Sequence, residues 1–238
     1  MDGVVKHDMI AVIPARGGSK RIPRKNIVDF SGKPMIAWTI EAARVSGLFS
    51  RVLVSTDDAE IAALSKEHGA DAPFLREAAA EDDAPVAKAT IAALRQAQAH
   101  WGEQYSTVVQ LMPNCPLRDA NDISEAVARF RSSGAPFLVS CCRFGWMNPW
   151  WAHRVDASGK PEALFKDALT RRSQELDALY FPTGAIWIAN VGALQASQNF
   201  YGPGHIFHPM VWTSGVDIDD GADLAMARSV RLMRDRAA

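Results

Sequence analysis

The chain has 238 residues, 48% hydrophobic and 22% charged, with a formal net charge of −1 at pH 7. That balance fits one globular domain with a real core and excludes disorder throughout, and the near-neutral charge excludes the global basic field of a nucleic-acid binder. No apolar run approaches the roughly 18 residues that a membrane-spanning helix needs, and Met1–Asp8 lacks the apolar stretch of a signal peptide.

In chain order, Met9–Pro14 reads as a first strand, apolar throughout and so buried on both faces. A helix follows from about Pro34, with Ile36, Ile40 and Ala43 on one face, and ends near Gly47. Arg51–Thr56 reads as the second strand, and Asp58–His68 as a helix with Gly69 as its stop. Ala84–His100 is an alanine-rich helix and Thr107–Leu111 a buried strand. Asn121–Ser133 is a helix introduced by Asn121 or Ala120, and Phe137–Cys142 a strand. This alternation predicts a mostly parallel sheet wrapped by helices.

The pattern breaks from Arg143 to about Leu179, where Trp146, Trp150 and Trp151 mix with prolines and charges. We read residues 143–179 as an arm inserted in a single domain spanning 1–238. Period-two alternation returns at Gly184–Ala189 and Val216–Asp219, and a closing helix starts near Ala222. The three cysteines are odd in number, with Cys141 and Cys142 adjacent. That is neither a disulfide framework nor metal-ligand spacing, and a reducing cytoplasm is the economical expectation.

The first strand runs into Ala15-Arg16-Gly17-Gly18-Ser19-Lys20-Arg21-Ile22-Pro23-Arg24-Lys25-Asn26. Five of the ten residues from Arg16 to Lys25 are cationic, and two glycines let backbone N–H groups approach an anion closely. A triphosphate at the carboxyl end of a strand suits such a loop. It is not a Walker A loop, because Gly32-Lys33 is followed by Pro34, and it is not G-x-G-x-x-G. A solvated basic loop or a local nucleic-acid contact is the alternative. Val216-Asp217-Ile218-Asp219 places two carboxylates on one face of an extended chain, where both reach one cation, although Asp219-Asp220-Gly221 is also turn chemistry.

Ile13–Asn26 resembles, almost throughout, the I-P-A-R-G-G-S-K-x-I-P-x-K-N signature of the CMP-sialic acid synthetases (acylneuraminate cytidylyltransferases). The resemblance runs from Met9 to about Arg228. It implies a three-layer α/β nucleotidyltransferase (Rossmann-like) fold with a mostly parallel sheet and a dimerisation arm. It implies transfer of CMP from CTP to a nonulosonic (sialic-type) acid with release of pyrophosphate. The catalytic cations would be Arg16, Lys20 and Lys25, with Ala15, Gly17, Gly18, Ser19 and Asn26 in the nucleotide loop. Asp217 and Asp219 match the metal-binding D-I-D pair, which implies Mg²⁺ or another divalent cation, and Asp223 matches the aspartate that follows. Arg76 and Asp83 resemble the segment that reads cytosine. On the sugar side the resemblance implies Met112, Arg172, Gln174, Phe200 and Tyr201.

Departures from the pattern bear on the sugar. Arg21 stands in place of glycine, Met112 of a substrate-contacting glutamine, Ser173 of a second arginine and Thr183 of an asparagine. These encourage pseudaminic, legionaminic or octulosonic (Kdo) acid as alternatives to N-acetylneuraminate. A catalytically dead nucleotide-binding module with a partner-binding arm is the rival of another class. For the arm's tryptophans a two-fold interface is the expected burial, giving a homodimer with Arg172 or Gln174 facing the partner's site. Cys115 is expected to be a small packing residue rather than a nucleophile, and His205 and His208 loop surface rather than zinc ligands.

Overall fold

The computed structural model describes residues 5–76 and 86–237. Met9–Ile13 are buried on both sides, as their unbroken apolar run requires, and form the middle of β1 (Val5–Pro14). A two-residue hairpin of β2 (Asp29–Phe30) and β3 (Lys33–Pro34) leads into α1 (Met35–Val45). Then come β4 (Arg51–Ser55), α2 (Ala59–Glu67), α3 (Val86–Trp101), β5 (Glu103–Gln110), α4 (Ala120–Ser133) and β6 (Phe137–Arg143). The hairpin β7 (His153–Val155) and β8 (Pro161–Ala163) precedes β9 (Tyr180–Asn190), α5 (Val191–Ser197), β10 (Ile206–Met210) and α6 (Gly221–Ala237).

Six strands form one sheet in the order β10-β6-β9-β5-β1-β4. β1 runs parallel to β4 and β5, and β6 parallel to β10, while β9 is antiparallel to both its neighbours. The sheet is mostly parallel, as expected. The arm is the reason for the reversal: the chain leaves by β6, forms the arm and returns beside it as β9. Alternating side chains of β1 feed two cores. Met9, Ala11 and Ile13 pack with α1, α2 and α4, and Ile10 and Val12 with α3 and α5, which makes three layers. A smaller cluster seats Ala227 and Val230 of α6 on Phe30, Leu117, Val216 and Ile218. Among the described residues no helix is long and apolar enough to cross a membrane.

The boundary signals mostly act as their chemistry predicts. Asp58 accepts hydrogen bonds from the backbone of Glu60 and Ile61 and starts α2, and Gly69 follows its end at φ 86°. α4 begins one step before the expected residues: Asp119 is its N-cap, in a reciprocal box with Asp122. The expected start of α3 at Ala84 lies outside the described residues. β5 reaches back to Glu103 because its first half alternates buried Glu103 and Tyr105 with exposed Gln104 and Ser106, a weaker signal than the apolar run that follows. Val216–Asp219 is not a strand. Its period-two pattern reflects an extended segment with Val216 and Ile218 buried, and among the described residues no strand pairs with it. β10 and α5 were not expected. Pro209 argues against a strand, and only an edge position such as that of β10 tolerates it.

At the sheet end opposite the C-terminus of β1, Arg51 and Glu103 pair across β1 through two hydrogen bonds of 2.6 and 3.2 Å. Arg51 also covers the Trp101 ring at 4.5 Å, and the Tyr105 hydroxyl donates to Glu103. The Arg51 hydrogen bonds, helped by Tyr105 and opposed by burial, hold the Glu103 carboxyl at about 2, below its ordinary 4.5. A carboxyl whose folded value is depressed stabilises the fold above its unfolded value. That contribution is lost as pH falls from about 4.5 towards 2. Glu103→Gln is expected to cost about 1–3 kcal/mol at pH 7, with the difference from the parent shrinking at pH 3. Urea midpoints at the two pH values measure it; an equal difference at both would exclude the ion pair as the cause.

Candidate active site

The cation-rich loop leaves the sheet where β1 ends. Ala15 still donates its N–H to Ser55 O at 2.9 Å, so its side chain stays in the core and its part in the loop is that of a root. Gly17 N–H then donates to Asp57 Oδ1 at 2.8 Å, and a Cβ on Gly17 would lie 2.7 Å from Asp58 Oδ2. Glycine is therefore required by the close approach of the loop to the start of α2. Asn26, 5% exposed, donates to Arg16 O at 2.9 Å and closes the loop on itself. Arg24, at φ 53°, turns away and pairs with Asp58 and Glu60. The remaining loop cations, Arg16, Lys20, Arg21 and Lys25, line one cleft of about 660 Å³.

Gly18, Ser19 and Asn26 share that cleft, and Arg76 lines it too, its N–H donating to Thr56 O at 2.7 Å. Asp83 lies outside the described residues. Asp217 and Asp219 come from the segment before α6, and the expected sharing of one face holds without a strand. Asp219 receives Lys25 Nζ on one oxygen at 3.0 Å and Arg21 Nη2 on the other at 2.9 Å. Burial pushes the Asp219 carboxyl up, but these two cations outweigh it and leave it below its ordinary value. Asp217 is raised to about 6, chiefly by burial and then by the charge of Asp219. Asp223 does not join them, because its carboxylate caps α6 by accepting from the backbone of Asp219 and Asp220.

Met112 lines the cleft beside Gly184, where a Cβ would lie 3.1 Å from Met112 Cγ and 3.3 Å from Asp217 Oδ2. The other sugar-side residues are not brought here. Phe200 is a core residue, 1% exposed against Trp187, so the ring is unavailable to a ligand. Tyr201 is 40% exposed but stands edge-on to Trp187 and His205, outside the cleft lining. Arg172 and Gln174 are exposed on the arm and do not line this chain's cleft. Cys115 is fully buried with its thiol pushed well up by burial, which makes it inert. His208 is buried in β10 rather than on a loop, and no group of three or more His, Cys, Asp or Glu poised for a metal occurs among the described residues.

Two neighbouring carboxylates, one raised by burial and then by the charge of the other, form a hard-oxygen donor set that suits a small divalent cation completed by phosphate oxygens and water. Four cations beside them suit a polyphosphate. Sequence reasoning missed Asn114, Asp57 and Gly184. Asn114 follows the strand that ends near Leu111 without any pattern of its own, and only its contacts reveal its place.

Residues 10–207 match the family model described as cytidylyltransferase. A pseudaminic acid cytidylyltransferase of Campylobacter jejuni is 32% identical over 219 residues, spanning 92% of this chain and 94% of that protein. A CMP-N,N'-diacetyllegionaminic acid synthase of Legionella pneumophila is 33% identical over 236 residues, 96% of this chain and 98% of that protein. An N-acylneuraminate cytidylyltransferase of Escherichia coli is 30% identical over 241 residues, 96% of this chain and 53% of that protein. Among solved structures, a CMP:2-keto-3-deoxy-manno-octonic acid synthetase complexed with CTP matches with a TM-score of 0.70. The match covers 96% of this chain and 100% of that one at 19% identity, a likeness of fold.

Proposed function

The chain belongs to the cytidylyltransferase family, and from that premise we propose that it transfers CMP from CTP to a nonulosonic acid. The observation that carries the reading is the contact of Lys25 with Asp219. It joins the phosphate-binding cations to the two carboxylates in a single cleft. In the reaction the anomeric hydroxyl oxygen attacks the α-phosphorus. The new O–P bond forms as the bond to the bridging oxygen breaks, pyrophosphate leaves with that bond's electron pair, and the hydroxyl proton is released. Arg16, Lys20 and Lys25 bind the triphosphate and offset the charge that develops on the leaving group. Asp217 and Asp219 would hold Mg²⁺ or another divalent cation, which when bound supplies charge neutralisation at the phosphates.

Relatives named for pseudaminic, legionaminic and N-acylneuraminic acids make these the acids to test first, and the thioether of Met112 favours an acid with a less polar group there. Pyrophosphate release measured with CTP, UTP, ATP and GTP against a panel of nonulosonic acids tests the reading. Turnover only with CTP and one or more acids is expected. Release with none of the acids, or equally with UTP, would sink it.

The protein acts as a homodimer in the cytoplasm on this reading, where CTP is available and its three buried free thiols stay reduced. On the arm Trp146 is 87%, Met147 66% and Trp151 42% exposed, an apolar surface that a second copy covers. Trp150 is not part of it, since its ring packs on Phe165 and its indole N–H donates to Asp177 O at 2.9 Å. Trp146→Ser with Met147→Ser is expected to weaken the dimer by roughly 30-fold, the weight of one interface hot spot. Activity should fall at dilution, because Arg172 and Gln174 complete the neighbour's cleft. Sedimentation velocity reads the first effect; an unchanged dimer would remove the arm from the interface.

A further inference from the structure

The segment bearing the two cleft carboxylates has no strand ladder, so something else must fix it. Ile218 N–H donates to Asn114 O at 2.9 Å, and Ile218 O accepts from both Lys25 Nζ at 2.9 Å and Asn114 Nδ2 at 3.2 Å. The other hydrogen of Asn114 Nδ2 goes to Asp217 Oδ1. Asn114 is 5% exposed, lines the cleft, and its own Oδ1 is buried without a hydrogen-bond partner among the described residues. Turning the amide over would set Oδ1 against a carboxylate and a carbonyl, so the two acceptors fix its orientation.

We propose that Asn114 is the positioning residue of the cation site: it occupies Asp217 Oδ1, leaves Oδ2 to face the cleft, and pins Asp217 and Asp219 to the loop after β5. Gly184 completes the arrangement, because any side chain there would crowd Oδ2 at 3.3 Å. Loss of the amide frees Asp217 to rotate and loosens its segment, so cation affinity falls while no residue of the phosphate loop is itself replaced. The inference rests on the reading of Asp217 and Asp219 as cation holders.

The test uses Asn114→Leu, of nearly the same shape, and Asn114→Ser in case the first folds poorly. Mn²⁺ is titrated into the free protein and followed by electron paramagnetic resonance, with Asp217→Asn as the marker of the site. We expect the Mn²⁺ dissociation constant to rise about tenfold in both Asn114 variants, for loss of one charge-assisted hydrogen bond. KM for CTP should stay within about twofold, and kcat should recover at high Mg²⁺. Parental Mn²⁺ affinity in both variants, or a kcat that saturating Mg²⁺ does not restore, overturns the role of Asn114 alone. Parental affinity in Asp217→Asn instead overturns the cation site, and this proposal with it.

Discussion

Replacing Asp217 and Asp219 together with asparagine is expected to lower kcat/KM by on the order of 1,000-fold and to remove its dependence on Mg²⁺, because neutral amides hold a hard cation poorly. The two side chains share one cleft with the four loop cations, and Asp219 touches two of them. Asparagine keeps the shape of both, so the fold should survive. Asp217 loses a like-charged neighbour in a buried position, and no core contact is cut. Pyrophosphate release titrated with Mg²⁺, beside a thermal melt, measures both effects. A double variant that keeps parental turnover at low millimolar Mg²⁺ would refute the metal role of the pair.

Lys25→Ala is expected to lower kcat/KM by about 100-fold or more. Its side chain is 17% exposed, and its ammonium stands between the cationic loop and Asp219, 3.0 Å from Asp219 Oδ1 and 2.9 Å from Ile218 O. If the cleft binds CTP and a divalent cation as proposed, phosphate draws that ammonium towards itself and releases Asp219 to the cation. A neighbouring loop residue, Arg24, serves as the control. It is equally cationic, but it points at Asp58 and Glu60, and its removal should cost far less turnover. Similar losses for Lys25→Ala and Arg24→Ala would mean that loop charge, rather than position, carries the effect.

The elements that form the buried sheet were legible because burial on both faces leaves an unbroken apolar run. β1 is the case in point, with Met9–Ile13 all in the core. The helix starts and stops were legible where one side chain or one glycine does the work, as at Asp58 and Gly69. Phe200 shows the reverse. The resemblance implies a sugar contact for it, and the ring lies in the core beside Trp187.

By itself the sequence determined the layered sheet, the cationic loop at the end of its first strand, and the pairing of Asp217 with Asp219 on one face. Each is local: periodicity, composition and an i, i+2 spacing depend only on neighbours in the chain. Tertiary structure decided which of the five loop cations face the cleft, since Arg24 is turned aside by the acidic start of α2. It also decided that Val216–Asp219 is held by Asn114 and Lys25 and not by a strand, and that β10 closes the sheet despite Pro209. Those outcomes depend on hydrogen-bond partners about 100 or more residues away for Asn114 and Lys25, and on which edge of the sheet is left open. No local pattern carries that information, because a buried donor takes whichever acceptor the packing brings to it.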